Sequence, residues 1–325
     1  MRAVRRGVIA AGVALLAGGA AVVLASTAAE DARTDRWTAL APAPLERTEV
    51  AAARIGRFIY VVGGFERASG RSTRAVERYD IRRDRWRRVQ SIPVSLDHAT
   101  AAAYRGRLYV HGGYTAGLSR PTNALLEYNP ERDRWRRLQP APTRRAAHAV
   151  AVIGQHLYVA GGANDSGSLR SLEIYDFRRR RWLSGPSFPG AARNHTTGVA
   201  SGGRFYVLAG RDSANFTLAE RYDPRRRAWE RLPDLRTPRG GIASARLRDG
   251  RIVVFGGENL GPGGTTIREV ELFDPRRRRW QRLPDMRTPR HGLGGVALGN
   301  RVYAIEGGVD PGLSFSSAIE ALDVR

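Results

Sequence analysis

The 325-residue chain has no cysteine. That excludes a disulfide framework, thiol chemistry and a lipid-modified Cys. It has no lysine either, so all 54 basic residues are arginine. Arg codons are GC-rich and Lys codons are not, so this skew points to a GC-rich genome rather than to a function. Acidic residues are too few to balance the arginines, and the formal net charge is +23. A surplus of that size suits an anionic partner such as a lipid surface, a wall polymer or a nucleic acid. Nucleic acid is disfavoured, because no recognition helix and no RNA-binding motif can be read in the chain.

Tryptophan is scarce but evenly placed. The six are Trp37, Trp86, Trp135, Trp182, Trp229 and Trp280, at gaps of 49, 49, 47, 47 and 51 residues. A residue this bulky recurs at one interval only when a structural unit repeats. Before five of them stands an aromatic–Asp pair or its near equivalent: Tyr79-Asp80, Tyr128-Asn129, Tyr175-Asp176, Tyr222-Asp223 and Phe273-Asp274. Further upstream, an aromatic or Val-rich run ends in glycine, as in Tyr60-Val-Val-Gly63-Gly64 and Tyr109-Val-His111-Gly112-Gly113. Thirteen residues before the aromatic lies Arg47, Arg145, Arg193 or Arg290, with Arg239 one residue further off and Leu96 in the second unit. Each unit thus holds four short β-branched or aromatic runs bounded by Gly, Pro, Asp or Asn, which read as strands. Four strands in about 48 residues make one blade of a propeller.

The pattern Tyr-x-x-Gly-Gly, then Tyr-Asp, then Trp resembles the Kelch repeat, and the resemblance runs over roughly residues 36–325. Departures are Ala209 and Glu306 at the first Gly, Asn129 for Asp, and Leu322-Asp323 with no Trp after it. The sixth unit therefore lacks its Trp strand, while Trp37-Thr-Ala-Leu40 stands unclaimed at the other end. The expected fold is all-β, a six-bladed Kelch-type β-propeller over 37–325. Its N-terminal strand completes the last blade, which removes the exposed sheet edges.

Residues 1–29 follow an export layout: Arg2, Arg5 and Arg6, then an uncharged stretch from Gly7 to Ser26, then small residues at Ser26-Thr27-Ala28-Ala29. The stretch 7–26 is long enough to span a bilayer. The expectation is a signal peptide or membrane anchor at 1–29, a linker at 30–36, and an extracytoplasmic monomeric propeller, secreted or anchored.

Strand alternation sorts the polar residues onto two faces. The turns around each Trp are Arg-rich (Arg82, Arg83, Arg85, Arg87, Arg88, Arg178 to Arg181, Arg225 to Arg227, Arg276 to Arg279). They read either as solvated turns or as a surface for anionic lipid or wall polymer. The opposite, top face receives Arg47, Arg145, Arg193, Arg239 and Arg290 at the start of each innermost strand. Two readings stand: the set rings the central opening and holds a ligand, or each Arg pairs with a carboxylate or carbonyl of a neighbouring blade. The Kelch resemblance implies a protein or glycan ligand at this face. His98, His195 and Glu306 are added to the candidate set. His98 and His195 occupy equivalent positions, but His148 falls one residue later and faces away. With no Asp or Glu cluster apparent beside them, no metal and no cofactor is expected. Glu306 reads as a general base in the central pocket or as a register slip before Gly307-Gly308.

Galactose-oxidase-like Kelch enzymes need a Cys crosslinked to a copper-binding Tyr, which a Cys-free chain cannot supply. Sialidase-type Asp boxes, a Gly-x-Ser-x-Gly elbow and a phosphate loop are absent. The principal expectation is a binding module without catalysis. The alternative is a sugar-acid epimerase or mutarotase resembling the neuraminate epimerases, with arginines gripping the substrate carboxylate.

Overall fold

The computed structural model describes residues 36–261 and 263–325. The expected export segment at 1–29, and all of the expected linker but Arg36, lie outside the described residues. Among the described residues there is no helix, so none is long and apolar enough to cross a membrane. The all-β expectation holds.

Six four-stranded antiparallel sheets follow one another along the chain. The first is built from Ala51–Ile55, Phe58–Val62, Val76–Asp80 and Arg85–Arg88. The sixth takes Gly294–Leu298, Arg301–Ile305 and Ile319–Asp323, and its fourth strand is Thr38–Ala39 from the start of the chain. Thr38 pairs with Ala321 and Ala39 with Glu320. Each innermost strand packs on the innermost strand of the next sheet, and Gly294–Leu298 packs on Ala51–Ile55. We read this circle of contacts as six blades around one axis.

The inner strands are small-residue runs because they crowd at the centre. A Cβ on Gly294 would sit 2.6 Å from the Cβ of Ala52 in the first unit. The apolar core is divided into clusters between neighbouring sheets. One of them joins Val50, Ile59, Val61 and Tyr79 of the first unit to Val296, Tyr303, Ile305 and Ile319 of the last.

The repeated residues are the joints between units. Five of the six Trp lie opposite the aromatic of their own third strand, as Trp86 does opposite Tyr79. Its indole N–H donates to a carbonyl of the preceding unit: Trp86 to Ala41, Trp135 to Gln90, Trp182 to Gln139, Trp229 to Pro186 and Trp280 to Pro233. Trp37 completes the circuit by donating to Pro284 at 3.1 Å. The second Gly of each pair donates its N–H to the carbonyl of the next unit's Arg or Leu96, from Gly64→Leu96 to Gly257→Arg290, and Gly307→Arg47 at 2.9 Å joins last to first. The Asp after the Tyr caps the outer turn by accepting backbone N–H groups, as Asp176 does from Arg178 and Arg179. Asn129 does the same for Glu131 and Arg132, which explains why that departure is tolerated.

Candidate functional site

The residue two after each Arg (or Leu96) lies two residues before an inner strand begins and takes a left-handed backbone conformation in all six units. These are Glu49, His98, Ala147, His195, Gly241 and Gly292, with φ between 47° and 70°. Glycine or alanine would suffice at such a position, so Glu and His there are departures that cost strain and invite a functional reading. Backbone bonds join most neighbours among them: His98 N–H to Glu49 O, Ala147 to His98, Gly241 to His195 and Gly292 to Gly241, while Val50, next to Glu49, donates to Gly292. They form the rim of a central cavity of about 150 Å³. Below the rim its walls are inner-strand residues such as Ala52, Thr100, Val150, Thr197, Ser244 and Gly295.

The rim is one-sided. Glu49, His98 and His195 carry long side chains, whereas Ala147 and Gly241 carry little or none, and Gly292 makes room for the Glu49 carboxylate, 2.6 Å from where its Cβ would sit. His98 Nε2 lies 3.1 Å from His195 Nε2 and 3.2 Å from Glu49 Oε2. His98 Nδ1 donates to Asp97 at 2.7 Å. His291 Nδ1 reaches the other Glu49 oxygen at 3.3 Å, and its Nε2 faces Glu258 at 3.7 Å. Arg211 closes the set by pairing with Glu258 at 2.6 Å. The rings of Phe65 and Tyr114 flank His98 with centroids 6.0 and 5.6 Å away.

Burial opposes charge throughout this cluster, yet opposite charges outweigh it at three residues. Glu49 is held well below the usual carboxylate range by His98, His291 and His195, against its burial. His98 is raised despite burial by Glu49 and Asp97, and His291 likewise by Glu49 and Glu258. His195 goes the other way, held well below the ordinary histidine value by burial and by its neighbour His98.

The structure brings His98 and His195 together as expected of equivalent positions, and places the rest of the candidate set elsewhere. Arg47, Arg145, Arg193, Arg239 and Arg290 do not line the cavity; each is 0% exposed. Each turns back into its own sheet, to a Glu two residues before the third-strand aromatic or its equivalent. Arg47 meets Glu77 at 2.9 Å, Arg145 Glu173 at 3.2 Å, Arg239 Glu271 at 2.9 Å and Arg290 Glu320 at 3.3 Å, while Arg193 pairs closely with Glu220. Remaining guanidinium protons go to carbonyls, such as Gly161 for Arg145 and Gly256 for Arg239. A buried charge demands such partners. The pairing reading of the arginines is the one the geometry fits, although the carboxylate is mainly the unit's own.

Glu306 is not a register slip. It occupies the first-Gly position with φ 54°, and Gly307 makes the second-Gly bond. Its side chain is buried against Arg47 of the first unit at 2.8 Å, away from the cavity. Burial raises its carboxyl to about 7, against the pull of Arg47.

The expectation that no carboxylate stands beside the histidines also needs correction. Glu49, Asp97 and Glu258 do, and Glu49, His98 and His195 offer ligand atoms within 4.8 Å of one another. Sequence reasoning missed Glu49, Asp97, Asn194, Arg211, Glu258 and His291. The signal was available in the two columns after the Arg and the one after Gly-Gly, which vary between units while their neighbours repeat. His148, read as facing away, does turn from the His98–His195 pair. It contacts Thr100 at 2.6 Å and His111 at 2.9 Å inside the core. On the opposite face, the Trp-flanking arginines from Arg82 to Arg279 are exposed.

A solved structure titled "Structure of YjhT" matches with a TM-score of 0.76 at 17% identity, covering 88% of this chain and 97% of that chain. At that identity the likeness speaks for the fold. The family model for the KLHDC2/KLHL20/DRC7 Kelch-repeats domain matches residues 49–235 and 139–308. Tyr-x-x-Gly-Gly, Tyr-Asp and Trp are the joints of a repeated sheet, and the chain belongs to the Kelch-repeat family.

Proposed function

We propose that the protein is an extracytoplasmic binding module that receives a protein or glycan at the rim of the central cavity. The observation that carries this is the division of labour between columns. The residues that repeat are spent on joining units, and those that differ converge on one rim. About 150 Å³ is small beside the roughly 300–1,000 Å³ of sites that enclose a whole small molecule. The cavity suits the tip of a larger ligand, with the unequal loops after each Gly-Gly gripping the remainder. The Arg-lined pocket that motivated the epimerase alternative is missing, because those arginines are committed to buried carboxylates. Arg211 is the arginine that reaches the rim cluster, and it holds Glu258.

A thermal-shift series on the full chain, against sugars, sugar acids and envelope-polymer fragments, tests this reading. A binder raises Tm in a saturable way by mass action, and Arg211→Ala or His195→Ala should abolish the rise. A ligand whose shift survives both changes would place the site elsewhere. Export by residues 7–26 would put the exposed arginines of the opposite face near anionic lipid, at about 1 kcal/mol per Arg close to the surface. Residues 36–325 should then sediment with anionic vesicles and be released by salt. Equal retention on neutral vesicles would refute the membrane role.

A further inference from the structure

Two histidine nitrogens at the rim face one another, and the other nitrogen of each ring is already committed to an acceptor. His98 Nδ1 points at the Asp97 carboxylate, which can only accept, so that nitrogen carries a proton. For His195 the same follows by a longer chain. Ser168 donates its hydroxyl proton to Asp212 at 2.7 Å, so its oxygen must accept from the Asn194 amide NH₂ at 2.7 Å. The Asn194 carbonyl oxygen therefore faces His195 Nδ1, and Nδ1 is the donor. The Nε2 atoms are thus left to face each other across 3.1 Å, with a Glu49 oxygen 3.2 Å from one of them. Three such atoms so close need a positive charge among them, either a proton on His98 Nε2, which Glu49 and Asp97 favour, or a metal ion.

We propose that Glu49, His98 and His195 bind one divalent transition-metal cation, Zn²⁺ or a close analogue, at the mouth of the central cavity. Zn–N and Zn–O bonds of about 2.0–2.1 Å give tetrahedral ligand–ligand edges of about 3.3 Å. The two separations seen, 3.1 and 3.2 Å, are close to that edge. Metal-binding histidines characteristically donate their other N–H to a carboxylate or carbonyl, as both do here to Asp97 and Asn194. His291 does the same service for Glu49 by holding its second oxygen. Two imidazoles and a carboxylate suit Zn²⁺, Ni²⁺ or Cu²⁺ rather than Ca²⁺. A fourth position is left open, and Ala147, Gly241 and Gly292 put no side chain in the way of a water or ligand. Glu49 and His195 are half-buried, which leaves an entry path.

The site rests on side-chain geometry and not on the ligand reading above, so it is tested without any organic ligand. Untagged, chelator-treated full-length protein is titrated calorimetrically with Zn²⁺, and with Co²⁺ followed by visible absorption. The expected result is one ion per chain, a rise in Tm, and an intense Co²⁺ spectrum of low coordination number. His98→Ala and His195→Ala should lose most of the affinity, Glu49→Gln should weaken it, and Asp97→Asn should weaken it by about 10–100-fold. Alanine is compatible with this backbone, since Ala147 holds the same conformation in the third unit. His156→Gln, at a histidine beside Asp176 on another part of the fold, should change nothing. A folded wild type that binds no ion would overturn the proposal and leave a proton shared between the rings. Binding that survives the double change His98→Ala/His195→Ala would overturn it equally.

Discussion

His111 shows what one residue out of pattern does to stability. The five equivalent positions are apolar: Val62, Ala160, Leu208, Phe255 and Ile305. His111 is buried beside His148, and its Nε2 finds no partner. Burial, with the nearby Arg145 guanidinium adding to it, lowers its pKa from 6.5 to about 3. The folded state therefore keeps the ring neutral, while the unfolded chain takes up a proton as pH falls through 6.5. Stability is full above that pH and is lost progressively toward pH 3. Between pH 7 and 5 the expected loss from this residue is about 2 kcal/mol. Denaturant titrations at the two pH values should show a smaller loss in His111→Val than in the wild type. Parallel losses in the two proteins would mean that His111 is not the titrating group. In the sequence this histidine stands inside the Tyr-x-x-Gly-Gly run with nothing to single it out, because burial depth is not a property of one residue's neighbours in the chain.

At the scale of the blade, the informative comparison is internal. Five units bury an Arg–Glu pair, and the second unit has Leu96 and Leu126 at the same two positions, both buried. Both members change together, as expected if a lone buried charge is far costlier than either a satisfied pair or two apolar side chains. Arg193→Leu alone should destabilise by about 3–5 kcal/mol, because Glu220 is stranded. The double change Arg193→Leu/Glu220→Leu, copying the second unit, should recover most of that loss. Equilibrium unfolding of the three proteins measures the coupling, and additive losses would refute it. The Glu was legible in the sequence, two residues before the third-strand aromatic wherever the Arg is present. What was not legible is the direction of the Arg side chain. A position at a strand start permits both the channel and the sheet, and only the partner across the sheet selects one.

Across the whole molecule, the same bond types recur between every pair of neighbouring units, including the last and the first. Trp37 is buried, packs tilted against Phe255 with centroids 5.8 Å apart, and donates to the Pro284 carbonyl. Its short strand, Thr38–Ala39, supplies the outer edge of the sixth sheet. Trp182 makes the equivalent indole bond to Gln139 but sits inside a continuous stretch of chain. Truncating either should cost about 3–5 kcal/mol. Trp37→Ala should melt at the lower temperature, since it also frees a strand held by two residue pairs. If Trp182→Ala melts first, the N-terminal strand is not the weak link of the circle.

The sequence by itself determined the number of repeats, their strands, the turns that carry charge, and the segment left to complete the last unit. Repetition made this possible, because six noisy copies of a pattern report one structure. The tertiary structure alone decided which polar residues meet. Glu49, His98, His195 and His291 lie in four different units, up to 242 residues apart. They converge because the strands that carry them start around one axis, and a distance across that axis is set by the packing of the small inner-strand residues. The same packing turned the arginines inward to their carboxylates and left the rim to the residues that do not repeat.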